Sequence, residues 1–103
     1  MSDQLVVTEP EGTIVVPAAT LASLVARAAE LVDGARVRRP RRSIEIDVAD
    51  GAATVAIQVA ARYGAILPEL AAEVQERVAR AVEKMCSVEV RSVHVAIEEL
   101  VER

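Results

Sequence analysis

Two alternating segments on either side of Asp50-Gly51 constrain the fold of this chain more than any other feature. Apolar and polar residues alternate through SIEIDV at 43–48 and again through TVAIQVA at 54–60. A period of two is typical of a strand with one buried face. The dipeptide between the segments favours a type I′ turn, because both central residues of that turn need a positive φ. The sequence therefore predicts an antiparallel hairpin whose apolar face must be covered.

Two helices are predicted to cover that face. In 17–33 the apolar residues recur with helical spacing, and Gly34 is placed to be the C′ residue of the helix. A second apolar stripe runs from Pro68 to Met85. Proline is favoured at the first helical position, where its missing N–H would have no partner. We therefore expect a first helix that starts at Pro17 and a longer second helix that starts at Pro68.

Two further strands flank these helices in the sequence. TIVV at 13–16 precedes the first helix, and SVHVAI at 92–97 follows the second. Val88 and Val90 are out of phase with the later valines, which predicts a bent start or a β-bulge at 87–91. The order β-α-β-β-α-β predicts an α+β fold, with a four-stranded antiparallel sheet and two helices on one face, the ferredoxin-like plan.

The length predicts a single domain with a core of small aliphatic side chains. A chain of 103 residues can bury one core without covalent links, and this one has no Phe, no Trp and a single Tyr. We expect a flexible N-terminal arm at 1–11, in which LVV at 5–7 could add an edge strand. The domain is expected at 12–97 and a C-terminal tail at 98–103.

The charges and the single cysteine favour the cytoplasm. Asp3, Glu9 and Glu11 stand where a secretory signal needs positive charge. The most apolar window, 14–26, contains Pro17 and is shorter than the ~20 apolar residues of a membrane span. Cys86 has no second cysteine to pair with, which fits a reducing compartment. We expect neither a signal peptide nor a membrane-spanning helix.

The residues that carry enzyme chemistry are scarce. His94 is predicted on the sheet face away from the helices, as an ordinary exposed side chain rather than a ligand. Cys86 is predicted at the C-terminal end of the second helix, where the dipole raises the pKa of a thiol. No Cys/His spacing suggests zinc, and no glycine-rich loop suggests a nucleotide. We therefore expect no catalytic, metal or cofactor site.

The candidate binding residues are five arginines in a seven-residue stretch. The chain carries a net charge of −4, yet this stretch contains five of its twelve basic residues and no acid. One interpretation is a solvated connection in which Pro40 prevents regular pairing. The other is a docking patch for an acidic partner or an anionic lipid. The residues are Arg36, Arg38, Arg39, Arg41 and Arg42.

Nucleic-acid binding is the disfavoured use of these arginines. The RNA-recognition motif shares the predicted element order, but it stacks bases on aromatic side chains of its central strands. The predicted strands have no aromatic residue, and Glu45 and Asp47 on the open face would repel phosphate. No G-x-x-G clamp is present either.

The segment YGAILPELAAEVQERVARAVEKM, from Tyr63 onward, together with VEVRSVHV resembles the signature of the alkaline shock protein family, bacterial cell-envelope stress-response proteins. A glycine, a short β run and an alanine-rich helix between Gly12 and Gly34 extend the likeness to about 12–97. Most residues of the signature have structural roles, such as starting the helix or filling the core, and do not form a functional site. The signature residues singled out here are Tyr63, Gly64, Pro68, Glu69, Glu73, Gln75, Glu83 and Met85.

The resemblance implies a non-enzymatic cytoplasmic scaffold, peripheral at the inner face of the cell membrane, that self-associates and docks to a membrane-anchored protein. Other relatives imply an alternative, the regulation of fatty-acid precursor synthesis by binding a biosynthetic enzyme. Two departures from the signature stand out. Cys86-Ser87 replaces the usual threonine-glycine, and Arg62 stands where an acid often precedes Tyr63.

Overall fold

The computed structural model describes residues 4–102, in which a hairpin precedes a sheet with helices on one face. The structure confirms the α+β class and both long predicted helices. A one-turn helix interrupts the connection between the first helix and the central hairpin. The elements are β1 (Leu5–Glu9), β2 (Gly12–Val16), α1 (Ala18–Glu30), β3 (Ala35–Arg36), α2 (Pro40–Ser43), β4 (Ile44–Ala49), β5 (Ala52–Arg62), α3 (Leu67–Cys86) and β6 (Glu89–Val101).

The long strand β5 organises the main sheet. Its first half pairs antiparallel with β4 and its last residues with β3, while β6 runs parallel to it from end to end. Asp50 and Gly51 have φ of 54° and 73°, the positive values that the predicted turn requires. The hairpin predicted around these two residues is therefore confirmed.

The prediction of a purely antiparallel four-stranded sheet is wrong, because the sheet is mixed. The TIVV run does not enter it; β2 pairs instead with β1 in a separate two-stranded hairpin. In the ferredoxin-like plan that run would lie between the two strands joined by the second helix. Without it, β5 and β6 are neighbours, and a strand-helix-strand crossover leaves such neighbours parallel.

The core lies between the inner face of the sheet and the two long helices. Val55, Ile57 and Val59 of β5 are at most 1% exposed and belong to the same buried cluster as Val25 of α1 and Val78 of α3. Alternation along β5 directs its other residues to the opposite face, where Gln58 is exposed. One face of the sheet is thus buried and the other open.

Local predictions at the ends of elements are confirmed in part. The register of β5 with β6 shifts between Ala53 and Thr54, which places the predicted bulge just before Ser92. Gly34 is not the C′ residue of α1, because the helix is capped by Leu31. It adopts a φ of +92° in the turn that follows. Within the predicted arm 1–11, β1 pairs with β2; the division into arm, domain and tail stays a prediction.

Candidate functional site

The arginine stretch occupies the broken edge strand beside β5. Arg36 lies on β3 opposite Ala60, Arg38 and Arg39 form the link, and Arg41 and Arg42 belong to α2. Pro40 stands at the start of α2, where a missing N–H costs nothing, and it ends the strand pairing of β3. The predicted interruption by Pro40 is therefore present, in the form of a single helical turn.

Two buried residues anchor this exposed stretch to the domain. Val37 is 6% exposed and belongs to the core, and its N–H donates a hydrogen bond of 2.9 Å to Oε2 of Glu30 in α1. At the other end, Ser43 is buried, and its N–H donates to the carbonyl oxygen of Arg39 at 2.8 Å. The arginines are thus presented by a backbone that is fixed at both ends.

The arginine guanidinium groups are mostly uncompensated. Arg38 forms a long ion pair of 3.5 Å with Glu99 of β6, both side chains being about half exposed. Within residues 4–102 the other four members of the stretch have no carboxylate oxygen within 4.0 Å. All four are exposed, and Arg42 also borders the open sheet face. The stretch therefore concentrates positive charge on an otherwise acidic protein.

The open face of the sheet forms a shallow depression of about 420 Å³ beside Arg42. Gln58, His94 and Ala96 line it together with Glu45 of β4. Two small residues lie on this side of β5: Ala56 is half-buried, and Ala60 is completely buried beside Arg36 of β3. The face therefore has mixed charge and small side chains, and it adjoins the arginine stretch.

The structure places His94 and Cys86 where the sequence predicts them. His94 is exposed on the open face, and its Nε2 lies 3.2 Å from Oγ of Ser92. Cys86 is the last residue of α3, and burial raises the pKa of its thiol. Among residues 4–102 no three His, Cys, Asp or Glu side chains form a group that could hold a metal ion.

The signature residues of α3 include two that reach the edge of β6. Nε2 of Gln75 donates a hydrogen bond of 3.0 Å to the carbonyl oxygen of Val93, and Oε2 of Glu83 accepts one of 3.2 Å from the N–H of Val90. Tyr63 is 70% exposed. Sequence reasoning assigned these residues to the fold but missed the contacts with β6, because nothing in the helical period identifies the strand beside a given face.

Comparison with known proteins identifies one family. The family model described as the alkaline shock protein 23 family, with a cell envelope-related function, matches residues 18–102. No curated protein and no solved structure gives a significant match. Within residues 4–102, no helix combines the length and the apolarity that crossing a membrane requires.

Proposed function

The chain belongs to the alkaline shock protein family, whose function is related to the cell envelope, and from that premise we propose a non-enzymatic scaffold. It self-associates and docks to a membrane-anchored protein at the inner face of the cell membrane. The observation that carries the docking role is the arginine stretch, defined as Arg36, Arg38, Arg39, Arg41 and Arg42. It is exposed, anchored at both ends and largely free of ion pairs within residues 4–102.

An acidic protein surface suits this stretch better than a bilayer or a nucleic acid. Glu45 and Asp47 lie on the neighbouring strand β4, on the open face that Arg42 borders. A continuous anionic surface such as a lipid headgroup layer would meet these carboxylates as well as the arginines. A folded partner can place acidic side chains opposite the arginines and basic or neutral ones opposite Glu45 and Asp47.

Binding to membranes with and without their proteins tests this proposal. Purified protein is added to inside-out membrane vesicles of the host bacterium, to the same vesicles after protease treatment, and to liposomes of anionic phospholipid. We expect sedimentation with the intact vesicles only, weakening as salt rises. Equal binding to protease-treated vesicles or to liposomes would contradict the protein partner.

Matched variants connect the binding to the arginine stretch. The test variant replaces Arg36, Arg39, Arg41 and Arg42 with Gln and spares Arg38, which has a partner within the chain. The control removes four positive charges elsewhere. The control positions are Arg27, Arg77, Arg80 and Lys84. We expect the test variant to lose vesicle binding at unchanged thermal stability, and the control to bind like the wild type; equal binding by both variants would contradict the role of the stretch.

A further inference from the structure

The outer edge of β6 carries backbone groups that no strand of residues 4–102 pairs with. The two-residue turn makes Ala49 and Ala52 a hydrogen-bonded pair, so residues 52, 54 and 56 of β5 direct their backbone groups toward β4. By alternation, Val55, Ile57 and Val59 direct theirs toward β6. The alternate residues of β6 then point outward. The hydrogen bond from Gln75 to the carbonyl of Val93 lies on this outer side. Val95 and Ile97 follow at intervals of two.

The middle of this edge lacks charge and proline, two of the features by which exposed strands avoid pairing. Between the register shifts near Arg91 and Glu98, residues 92–97 read SVHVAI, with no charge and no proline. Beside residues 90–94, α3 leaves an open groove of about 540 Å³, lined on the helix side by Ala72, Gln75, Glu76 and Ala79. Gln75 reaches across to the carbonyl of Val93, and the small side chains of Ala72 and Ala79 leave space on either side of it.

We propose that β6 pairs antiparallel with β6 of a second copy, across a two-fold axis at Val95. This inference rests on the self-association that the proposed function includes. In this register Val95 faces Val95 of the second copy and Val93 faces Ile97 of the second copy. All of these residues direct their N–H and C=O groups outward, so they exchange backbone hydrogen bonds. The carbonyl oxygen of Val93, which accepts a hydrogen bond from Gln75 within the chain, has a second lone pair for the N–H of Ile97 of the second copy. The two sheets become one continuous sheet with a two-fold interface.

The charges at the two ends of the strand select this partner and this register. Arg91 of one copy lies opposite the Glu98-Glu99 pair of the other, and the two-fold axis makes this contact twice. With the axis at Val93 or Ile97, Arg91 would lie opposite position 95 or 103 of the second copy, four residues from Glu99. An axis at His94 would place Glu89 opposite Glu99. Only the axis at Val95 joins opposite charges at both ends of the uncharged stretch.

A charge-exchange experiment tests the interface. The acidic variant is Arg91→Glu, and the basic variant is Glu98→Lys; Glu99 is spared because it pairs with Arg38. We expect the wild type at millimolar concentration to sediment with twice the 11.0 kDa chain mass. Each variant alone meets like charges and weakens dimerisation by about tenfold or more. An equimolar mixture restores the dimer, because each copy then meets opposite charges at both ends.

A control on α3 separates the interface from a general effect of charge. Arg77→Glu makes the same charge change on the side of the helix away from Gln75 and Ala79, and it should leave dimerisation unchanged. Amide hydrogen exchange provides a second readout. The N–H of Val95 should be protected in the wild-type dimer and should exchange faster in the Arg91→Glu variant.

The outcomes that would overturn the interface differ from those that test membrane docking. A monomeric wild type at millimolar concentration would overturn it. So would an assembly that neither variant weakens, or a mixture that stays monomeric. Vesicle binding depends on the arginine stretch, which none of these variants alters. Docking can therefore hold when the β6 interface fails, and the interface can hold when docking fails.

Discussion

Nε2 of Gln75 donates a hydrogen bond of 3.0 Å to the main-chain carbonyl of Val93 and thereby joins α3 to the outer edge of β6. Seen together with the bond between Glu83 and the N–H of Val90, the contact shows how one helix sits along a strand edge. The two side chains satisfy one acceptor and one donor that no neighbouring strand of residues 4–102 reaches. The outer edge of β6 is thus held in position while only some of its backbone N–H and C=O groups have hydrogen-bond partners, and such an edge is suited to pairing with another chain.

Replacing Gln75 with Ala should therefore destabilise the fold. The substitution leaves the carbonyl of Val93 without its side-chain donor, at a cost of about 1 kcal/mol in the free energy of unfolding. Alanine has the better helix propensity, so the helix itself does not account for a loss. Urea denaturation measures the difference. Glu76→Ala is the control, since its partner Arg80 lies on the same exposed helix face and such pairs contribute little. Equal stability of the wild type and Gln75→Ala would contradict the contact.

The end of α3 offers a stabilising substitution. Ser87 caps the helix in the left-handed conformation, with φ 54° and ψ 43°, and its N–H donates to the carbonyl of Glu83 at 3.0 Å. This is the position where the resemblance to the family leads us to expect glycine. A side chain in that conformation costs roughly 1–2 kcal/mol, part of which glycine loses again in entropy. Ser87→Gly should raise the free energy of unfolding by about 1 kcal/mol.

The matched control is Ser23→Gly, within α1. There the backbone is helical and glycine only adds flexibility, so the same substitution should lower stability by about 0.5 kcal/mol. Thermal denaturation followed by circular dichroism measures both changes: Ser87→Gly should raise the stability and Ser23→Gly should lower it. A decrease in both variants would show that the left-handed cap is not strained.

The ion pair between Asp33 and Arg62 should make stability depend on acid pH. Its atoms lie 2.8 Å apart, and the hydrogen bond from Arg62, aided by its charge, holds the pKa of Asp33 below the ordinary value of 3.8. A carboxyl group with a depressed pKa in the folded state stabilises the fold above its ordinary pKa. That contribution is lost as the pH falls through the folded value. Asp33→Asn should therefore be less stable than the wild type at neutral pH, with a difference that vanishes in strong acid.

A double-mutant comparison isolates the pair. In a chain that already carries Arg62→Gln, Asp33→Asn should have no effect on the pH dependence of the urea midpoint. If Asp33→Asn still changes the pH dependence of the urea midpoint in the Arg62→Gln chain, the effect comes from a group other than Arg62. Arg62 stands where the family resemblance leads us to expect an acid, and an acid at this position could not form an ion pair with Asp33.

The predictable parts of the fold are those that local periodicity and turn chemistry determine. The Asp50-Gly51 hairpin, the two long helices and the bulge before Ser92 follow from spacing and from the φ that a residue type tolerates. The position of the TIVV run did not follow. A short β-branched strand such as TIVV can pair with the strand that precedes it in the chain or lie in the middle of the main sheet, and its sequence is compatible with both. Whether the run pairs with β1 or enters the main sheet depends on which pairing packs better in the folded protein, and this is a tertiary effect.

The candidate site was also predictable only in part. The sequence alone identified the arginine stretch, because five like charges in seven positions are visible without a structure. The anchoring of this stretch by Val37 and Glu30, and the approach of Gln75 to β6, depend on which elements pack together. Each of these contacts joins residues of two different elements, 7 and 18 positions apart, and the periodicity within one element does not reveal which other element it packs against.

The N-terminal hairpin provides the sharpest test of the predicted domain division. Leu5 is 5% exposed and belongs to the core, whereas its neighbour Val6 is 49% exposed. If β1 is part of the folded domain, Leu5→Ala should lower the free energy of unfolding by about 2–4 kcal/mol, the usual cost of a cavity in a core. Val6→Ala should change it by less than about 0.5 kcal/mol. A flexible arm at 1–11 would instead leave both variants as stable as the wild type. Urea denaturation of the pair therefore decides whether the domain begins at β1 or at β2.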